Sequence, residues 1–246
     1  MKHRVSNTKL HSKVYRGGKK EATQSYSTIR RGADDAGNKG RRRKAAWLKD
    51  PMNVIITGVG GQGNVLASRV LAGMLVNAGF YVTIGETFGM SQRGGSVMSH
   101  LRISQKSIMS PQIPLGQADI IIALEPVEAL RVLIKYGNPK VAVLANSRVV
   151  YPIGVITGEL NYPSLNEIKN VLQKTAARSW LIDATEAAVA LGNPVLSNVV
   201  IIGALAAVNL LPIDRKAFVK EIAKNMAADK QKNNLAAFAA GFQLIQ

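Results

Sequence analysis

The apolar run Val54-Ile55-Ile56 leads directly into Gly58-Val59-Gly60-Gly61-Gln62-Gly63, and apolar residues at helical spacing (Val65, Leu66, Val70, Leu71, Leu75) follow. The order reads as a buried strand, a tight turn and a helix, which commits the chain to an α/β architecture. Gly58 allows the turn, Gly60 lets a ligand approach the backbone, and Gly63 lets the helix pack on the strand. The helix N-terminus then faces whatever anion sits in the turn. The same glycines also serve plain close packing of helix on strand, and the spacing alone does not separate the two readings. Gly61 and Gln62 complete the candidate anion-binding set of this turn.

The alternation of strands and helices continues down the chain. Strands are expected over residues 53–57, 81–84, 96–103, 120–124, 141–144 and 180–182. Helices are expected over 62–78, 127–134, 165–174, 185–191, 198–210, 214–226 and 229–242. Gly79 reads as a helix stop, Pro126 as a first-turn proline and Asp214 as an N-cap. In residues 96–103, Val97, Ser99, Leu101 and Ile103 face one way and Ser96, Met98, His100 and Arg102 the other. Such unlike faces suit an antiparallel strand at a sheet edge. The sum is a single-domain, three-layer, Rossmann-like α/β fold with a doubly wound, mainly parallel sheet. There is no internal repeat and no second domain with its own core.

Charge divides the chain in two. Residues 1–50 hold 15 Lys/Arg against 4 Asp/Glu, a net of +11, and the remaining residues carry only +6 of the total +17. The first segment lacks hydrophobic periodicity and contains Gly17-Gly18 and Arg41-Arg42-Arg43-Lys44. It cannot bury enough apolar surface to offset its ordering entropy, so residues 1–51 are expected to be a disordered basic extension, with the working domain at 52–246. Met52 stands just before the first strand, and the extension reads as a start-site misassignment. A basic tail can bind nucleic acid, but an aromatic content of 5% gives little support for base stacking. A solvated tail is the simpler reading.

Composition removes several chemistries. With no cysteine there is no disulfide, no thiolate-ligated iron–sulfur cluster and no Cys-based zinc site in this chain. Two of the 3 histidines lie in the tail, which disfavours a His-rich metal site. The longest apolar run, residues 199–208, is far short of the roughly 20 residues a bilayer span needs. No apolar stretch of a secretory signal follows the basic start. A cytoplasmic location without membrane contact is the simplest expectation.

A second glycine-rich segment, Gly89-Met90-Ser91-Gln92-Arg93-Gly94-Gly95-Ser96, reads as a loop from 85 to 95. In an open α/β sheet, ligands bind beyond the carboxyl ends of the strands, and this loop falls there with Glu86, Glu125, Asn146 and Asp183. Arg93 is the one candidate catalytic residue. A guanidinium on a glycine-rich loop can grip a carboxylate or phosphate with two prongs, or it can pair structurally with Glu86 or Glu125. Ser91, Gln92, Gly94 and Gly95 join the anion-binding set, and Ser91 and Ser96 can donate to the same anion. Glu86 stands where a dinucleotide fold places its ribose-binding acid, which keeps a self-contained NAD(P)-dependent oxidoreductase open as an alternative. His100 reads best as a satisfied strand histidine. No base–nucleophile pair is evident, so a redox function would need a cofactor or a partner chain.

These two segments together are recognisable. Gly58-Val-Gly-Gly-Gln-Gly63 followed by Glu86-Thr-Phe-Gly-Met-Ser-Gln-Arg-Gly-Gly-Ser-Val-Met-Ser-His-Leu-Arg102 resembles the gamma-type (pyruvate/ketoisovalerate oxidoreductase gamma) domain of 2-oxoacid:ferredoxin oxidoreductases. The Gly-Met-Ser-Gln-Arg-Gly-Gly-Ser form is most similar to indolepyruvate:ferredoxin oxidoreductase beta subunits. Ser110-Pro-Gln-Ile-Pro114, the stretch from Ala118 to Leu130, Asn146, Tyr162-Pro163 and the stretch from Asn198 to Leu205 are similar too, so the likeness covers about residues 53–225. The resemblance implies an enzyme subunit, inactive alone, of a complex that oxidatively decarboxylates 2-oxoacids, indolepyruvate and other aryl pyruvates among them, to acyl-CoA. It implies a large alpha subunit holding thiamine diphosphate and the iron–sulfur clusters, with ferredoxin as electron acceptor and CoA as co-substrate. This chain would bind no cofactor tightly. It would offer an anion-binding surface to CoA, or cover the thiamine site, through residues 58–63 and 91–95.

Overall fold

The computed structural model describes residues 23–29, 49–89 and 95–246. Most of the expected disordered extension, and Ser91, Gln92, Arg93 and Gly94, lie outside these residues.

One seven-stranded sheet, in the order β1-β3-β4-β2-β5-β6-β7, organises the described residues. Its strands are β1 (Thr23–Ile29), β2 (Met52–Val59), β3 (Tyr81–Phe88), β4 (Ser96–Ser104), β5 (Ile120–Ala123), β6 (Ala142–Asn146) and β7 (Arg178–Ile182). The helices are α1 (Asn64–Asn77), α2 (Pro126–Tyr136), α3 (Ile153–Ile156), α4 (Leu165–Thr175), α5 (Ala184–Ala190), α6 (Ser197–Val208), α7 (Arg215–Asn225) and α8 (Ala228–Gln243). A short 3-10 turn, Pro194–Leu196, leads into α6.

The helices cover both faces of the sheet, as the doubly wound reading requires. Val54 and Ile56 of β2 pack with α1, α6, α7 and α8 in one core. Ile55 points the other way and packs with Ile121, Val143, α2 and α4. Adjacent residues of β2 thus feed different cores, which is why the strand reads as an unbroken apolar run.

The sheet is mixed. β2, β5, β6 and β7 are mutually parallel, and β1, β3, β4 and β2 pair antiparallel. The antiparallel share exceeds the expectation of a mainly parallel sheet. The reason lies in residues 89–95, which are too few for a crossover, so β4 must fold back on β3 as a hairpin. The Gly89 N–H donates to the Ser96 carbonyl at 2.7 Å and ties the end of β3 to the start of β4. The expected loop over 85–95 is correspondingly shorter, because β3 runs on to Phe88.

β4 is not an edge strand. It sits between β3 and β2, with Ser99 and His100 both buried. Its polar-looking face is covered by the segment after it: Pro111 packs over Gly85, and the Ile113 N–H donates to His100 Nδ1 at 3.2 Å. The true edge partner of β3 is β1, from inside the basic extension, paired antiparallel from Thr23↔Phe88 to Ile29↔Val82. The Tyr-Ser-Thr-Ile character of that strand was masked by the charge around it.

Local signals set the helix ends. Gly79 adopts φ 95 and lets the Phe80 N–H reach back to the Leu75 carbonyl, stopping α1. Ser164 and Glu167 form a reciprocal capping box on α4, and Asp214 caps α7 through the Ala217 N–H. α6 is buried nearly all round and crosses α8 at backbone contact: a Cβ on Gly241 would lie 1.8 Å from the Val200 carbonyl oxygen. Among the described residues, no helix is long and apolar enough to cross a membrane.

Candidate functional site

The carboxyl ends of β2, β5 and β6 converge on the turn between β2 and α1. Gly61 and Gly63 hold φ values of 97 and 81, a region costly for any residue with a Cβ. Gly58 is required for a different reason. A Cβ there would stand 2.6 Å from Gln62 Oε1 and 2.8 Å from Asn64 Oδ1, so this glycine makes room for two side chains folded back over the strand. Gly60 donates its N–H to the Gly95 carbonyl at 2.8 Å. The two glycine-rich segments therefore meet at the residues that join them.

Gln62, expected to contact a ligand, turns inward. Its Oε1 accepts from the Val59 N–H at 2.9 Å and its Nε2 donates to the Leu124 carbonyl at 3.0 Å. It staples the turn to the end of β5 and sets the turn's shape. Asn146 does the same from β6: it donates to Thr185 Oγ1 and accepts from the Ala184 N–H, seating the start of α5. Asp183 caps that helix through the Glu186 N–H.

Glu125 is the N-cap of α2, with its Oε2 accepting from the Glu128 N–H at 2.9 Å. Its Oε1 accepts from the Tyr162 hydroxyl. Burial raises its pKa; the Tyr162 hydroxyl and the Glu128 and Val150 N–H groups pull it back. Glu128, buried beside it, is raised by burial and by the Glu125 charge, against Arg131 and the Ser96 hydroxyl. Burial and the neighbouring Glu125 push the Tyr162 phenol far up, so it stays a donor. Ser96, expected to donate to an anion, donates instead to Glu128 Oε2 at 2.7 Å and fixes the start of β4 to α2. Sequence reasoning missed Glu128; its signal was the acid at the third position after the Glu125-Pro126 helix start.

Glu86 lies within β3 rather than after it, buried opposite Ser25 and Ser99. Because β4 is inserted between β3 and β2, Glu86 is two strands from the glycine turn, about 10 Å at the usual spacing. A dinucleotide fold needs those strands adjacent, so the geometry departs from a ribose-binding arrangement. His100 lies away from this edge, its ring edge-on to Tyr136 at 5.1 Å, at the far end of α2. Burial and then Lys135 lower its pKa to about 4, which keeps it neutral; its Nδ1 accepts from the Ile113 N–H, while its buried Nε2 has no hydrogen-bond partner among the described residues, so it is only half satisfied.

The start of α1 lies at the same turn. Gly63 is its N-cap in the left-handed conformation, and no side chain caps the helix. A Cβ on Gly63 would lie 2.2 Å from Asn198 Nδ2, so the amide of Asn198, the second residue of α6, leads its side chain onto this turn. Asn198 Nδ2 and Asn64 Oδ1 are buried without a hydrogen-bond partner. Among the described residues, no group of three or more His, Asp or Glu side chains could hold a metal ion.

A mixed sheet covered on both faces by helices, with a glycine turn leading from β2 into the uncapped start of α1, makes this a Rossmann-like α/β protein. More narrowly, the chain belongs to the pyruvate ferredoxin/flavodoxin oxidoreductase family, whose profile matches residues 53–244. It is 38% identical over 191 residues to the indolepyruvate oxidoreductase subunit IorB of Archaeoglobus fulgidus, covering 78% of this chain and 94% of that protein. Its identity to IorB of Pyrococcus horikoshii is 39% over 191 residues, covering 77% and 93%. Among solved structures, the pyruvate oxidoreductase subunit PORC of Thermotoga maritima has the same fold, with a TM-score of 0.59 at 18% identity, covering 80% of this chain and 97% of that one. The 2-oxoglutarate:ferredoxin oxidoreductase of Magnetococcus marinus contains it as well, with a TM-score of 0.62 at 19% identity, covering 80% of this chain but 31% of the longer one.

Proposed function

We propose that this chain is the gamma-type subunit of a ferredoxin-linked oxidoreductase that decarboxylates 2-oxoacids, with indolepyruvate and other aryl pyruvates as substrates. The identity to IorB subunits over nearly their whole length carries this reading. The chain acts with a large partner subunit that holds thiamine diphosphate and the iron–sulfur clusters; a chain without cysteine has no thiolate to offer a cluster. Ferredoxin accepts the electrons from the complex, and CoA accepts the acyl group. This subunit contributes the edge formed by residues 58–63 and 91–95, which faces CoA or closes over the thiamine site. The joining of Gly60 to Gly95 and the uncapped start of α1 support that assignment.

The test is co-purification from native extract, followed by 2-oxoacid-dependent dye reduction with indolepyruvate, phenylpyruvate, pyruvate and 2-oxoglutarate. The reading expects a large, cysteine-rich, thiamine-dependent partner and the fastest reduction with indolepyruvate. An active chain with no such partner would overturn it.

A further inference from the structure

We infer that β1 is a guard strand: residues 23–29 of the basic extension fill the outer edge of β3 in the same chain, and that edge pairs with the β3 of a second copy when β1 is displaced. The guard is independent of the oxidoreductase reading. It makes residues 23–29 a working part of the domain at 52–246 rather than a by-product of a misplaced start.

β3 is the kind of strand that folded proteins do not leave open. Tyr81, Val82, Thr83, Ile84, Thr87 and Phe88 are β-branched or aromatic, and its single charged residue, Glu86, is buried. An exposed edge is ordinarily blunted by a proline, a lysine, a bulge or shortness. β3 has none of these: it holds no Pro or Lys and pairs with β4 residue for residue from Tyr81↔Ser104 to Phe88↔Val97. On its other side, alternate N–H and C=O groups are a template for a further strand. A β-rich segment of low charge without proline, left open in that way, is a self-association site.

The chain covers this edge itself. β1 pairs with β3 over its whole length, from Thr23↔Phe88 to Ile29↔Val82 without a bulge, and it also lies against α1. Residues 23–29 carry no charge and include Thr23, Tyr26, Thr28 and Ile29, whereas Lys19-Lys20 precede them and Arg30-Arg31 follow. The neutral stretch suits pairing with β3, and the like charges in the sequence on either side oppose a second copy adding to β1 in turn. Topology favours occupancy by the same chain. β1 ends opposite Val82, and β3 runs parallel to β2, so Ile29 and Met52 lie at the same end of the sheet. The strand order puts three strand spacings between them, about 14 Å, and residues 30–51 are long enough to reach several times farther. Such a tether gives β1 an effective concentration of about millimolar order, well above that of a dilute second copy. β1 lies outside residues 53–244, which match the family profile, so the cover comes from beyond the shared domain.

The test compares the full chain with a full-length double variant, Ser25→Pro with Tyr26→Pro. Neighbouring residues of an antiparallel strand alternate in facing their partner, so one of the two prolines removes a ladder donor whichever of them faces β3. Amide exchange of residues 82–88 and sedimentation are measured from micromolar to millimolar chain. In the wild type, the N–H groups of β3 that face β1 should be protected at every concentration. In the double variant they should exchange about ten- to hundredfold faster at low concentration, and protection should return as the variant associates on concentration. A peptide of residues 19–31 added to the variant should restore protection and block association; the same peptide carrying both prolines should do neither. Fast exchange of these groups in the wild type overturns the guard, and so does a variant that stays unassociated with its edge open. The variant should fold, because the two hydrophobic cores described above are built from residues 52–245; loss of folding would make β1 part of the core structure and overturn its role as a cover. The exchange is repeated with the large partner subunit present. Protection of the variant's edge only in that complex would give the edge to the partner and overturn pairing with a second copy.

Discussion

Gly60 and Gly95 share a backbone hydrogen bond of 2.8 Å, so the turn after β2 and the loop before β4 are held at one point. Gly95 follows directly on Arg93 and Gly94 in the sequence. The bond therefore places the end of the arginine-bearing loop against the glycine turn.

Arg93→Ala should lower turnover of the reconstituted complex roughly ten- to hundredfold, the loss expected when a charge-assisted contact to a substrate or cofactor oxyanion goes. Folding should change little, since the backbone link is made by Gly95. Steady-state kinetics with varied CoA and varied oxoacid, beside a denaturation curve of the variant, would check both halves. Unchanged kinetics would remove Arg93 from the site.

Tyr162→Phe should destabilise the chain by about 1–3 kcal/mol, because Glu125 Oε1 loses its hydroxyl donor and is left with the distant Val150 N–H at 3.5 Å among its backbone donors. Tyr151→Phe is the control: that ring meets Tyr162 edge-on but is 57% exposed. The pH dependence has a definite sign. Glu125 lies above its ordinary value of 4.5 when folded. The folded chain then holds a proton that the unfolded chain releases, so this group's contribution is full below that value and declines as pH rises through the folded pKa. Losing the Tyr162 hydroxyl raises Glu125 further and carries the decline to higher pH. Urea titrations of both proteins from pH 4 to 9 would show whether the curves diverge in that direction.

His100 works in the opposite sense. Its folded pKa of about 4 lies below the ordinary 6.5, so the unfolded chain takes up the proton first. Stability from this group is complete above 6.5 and is lost as pH falls toward 4, at up to about 1.4 kcal/mol per pH unit. His100→Asn keeps an acceptor for the Ile113 N–H and removes the titration. Its stability should be lower than wild type at pH 7 and should fall less steeply between pH 6.5 and 4. Equal slopes would mean that His100 is not held neutral in the fold.

Much of this architecture was legible in the residues, and the failures have local causes. The strand–turn–helix at 54–75 was readable because both periodicities are strong there and Gly58, Gly60 and Gly63 mark the turn. β4 was placed at an edge because alternation reports two unlike faces; it does not report that the segment carrying Pro111 and Ile113 folds back to bury the polar one. Glu86 was placed after its strand because Gly85 and Gly89 imitate a loop, whereas Gly85 leaves room for Pro111. Gln62 looked like a ligand residue because spacing gives no direction to a side chain, and its inward staple to Leu124 depends on a strand 62 residues away. Asn198 is, in the sequence, only the first residue of an expected apolar helix. Its meeting with Gly63 needs the fold.

The crossing of α6 and α8 carries the last prediction. A Cβ at Gly241 would lie 1.8 Å from the Val200 carbonyl oxygen and 3.0 Å from the Ala204 nitrogen, and one at Gly203 would lie 2.0 Å from the Phe238 carbonyl oxygen. Each glycine meets the opposite helix's backbone, which cannot swing aside as a side chain tip can, so an added methyl must push the helices apart. Gly241→Ala should cost about 3 kcal/mol, at the upper end of overpacking effects. Gly158→Ala separates this from backbone strain: its φ is 78 but nothing lies within 4 Å of the new Cβ, so it should cost only about 1–2 kcal/mol. Denaturant midpoints for the two variants would separate the outcomes; equal midpoints would mean that the close approach of α6 and α8 does not hold in solution.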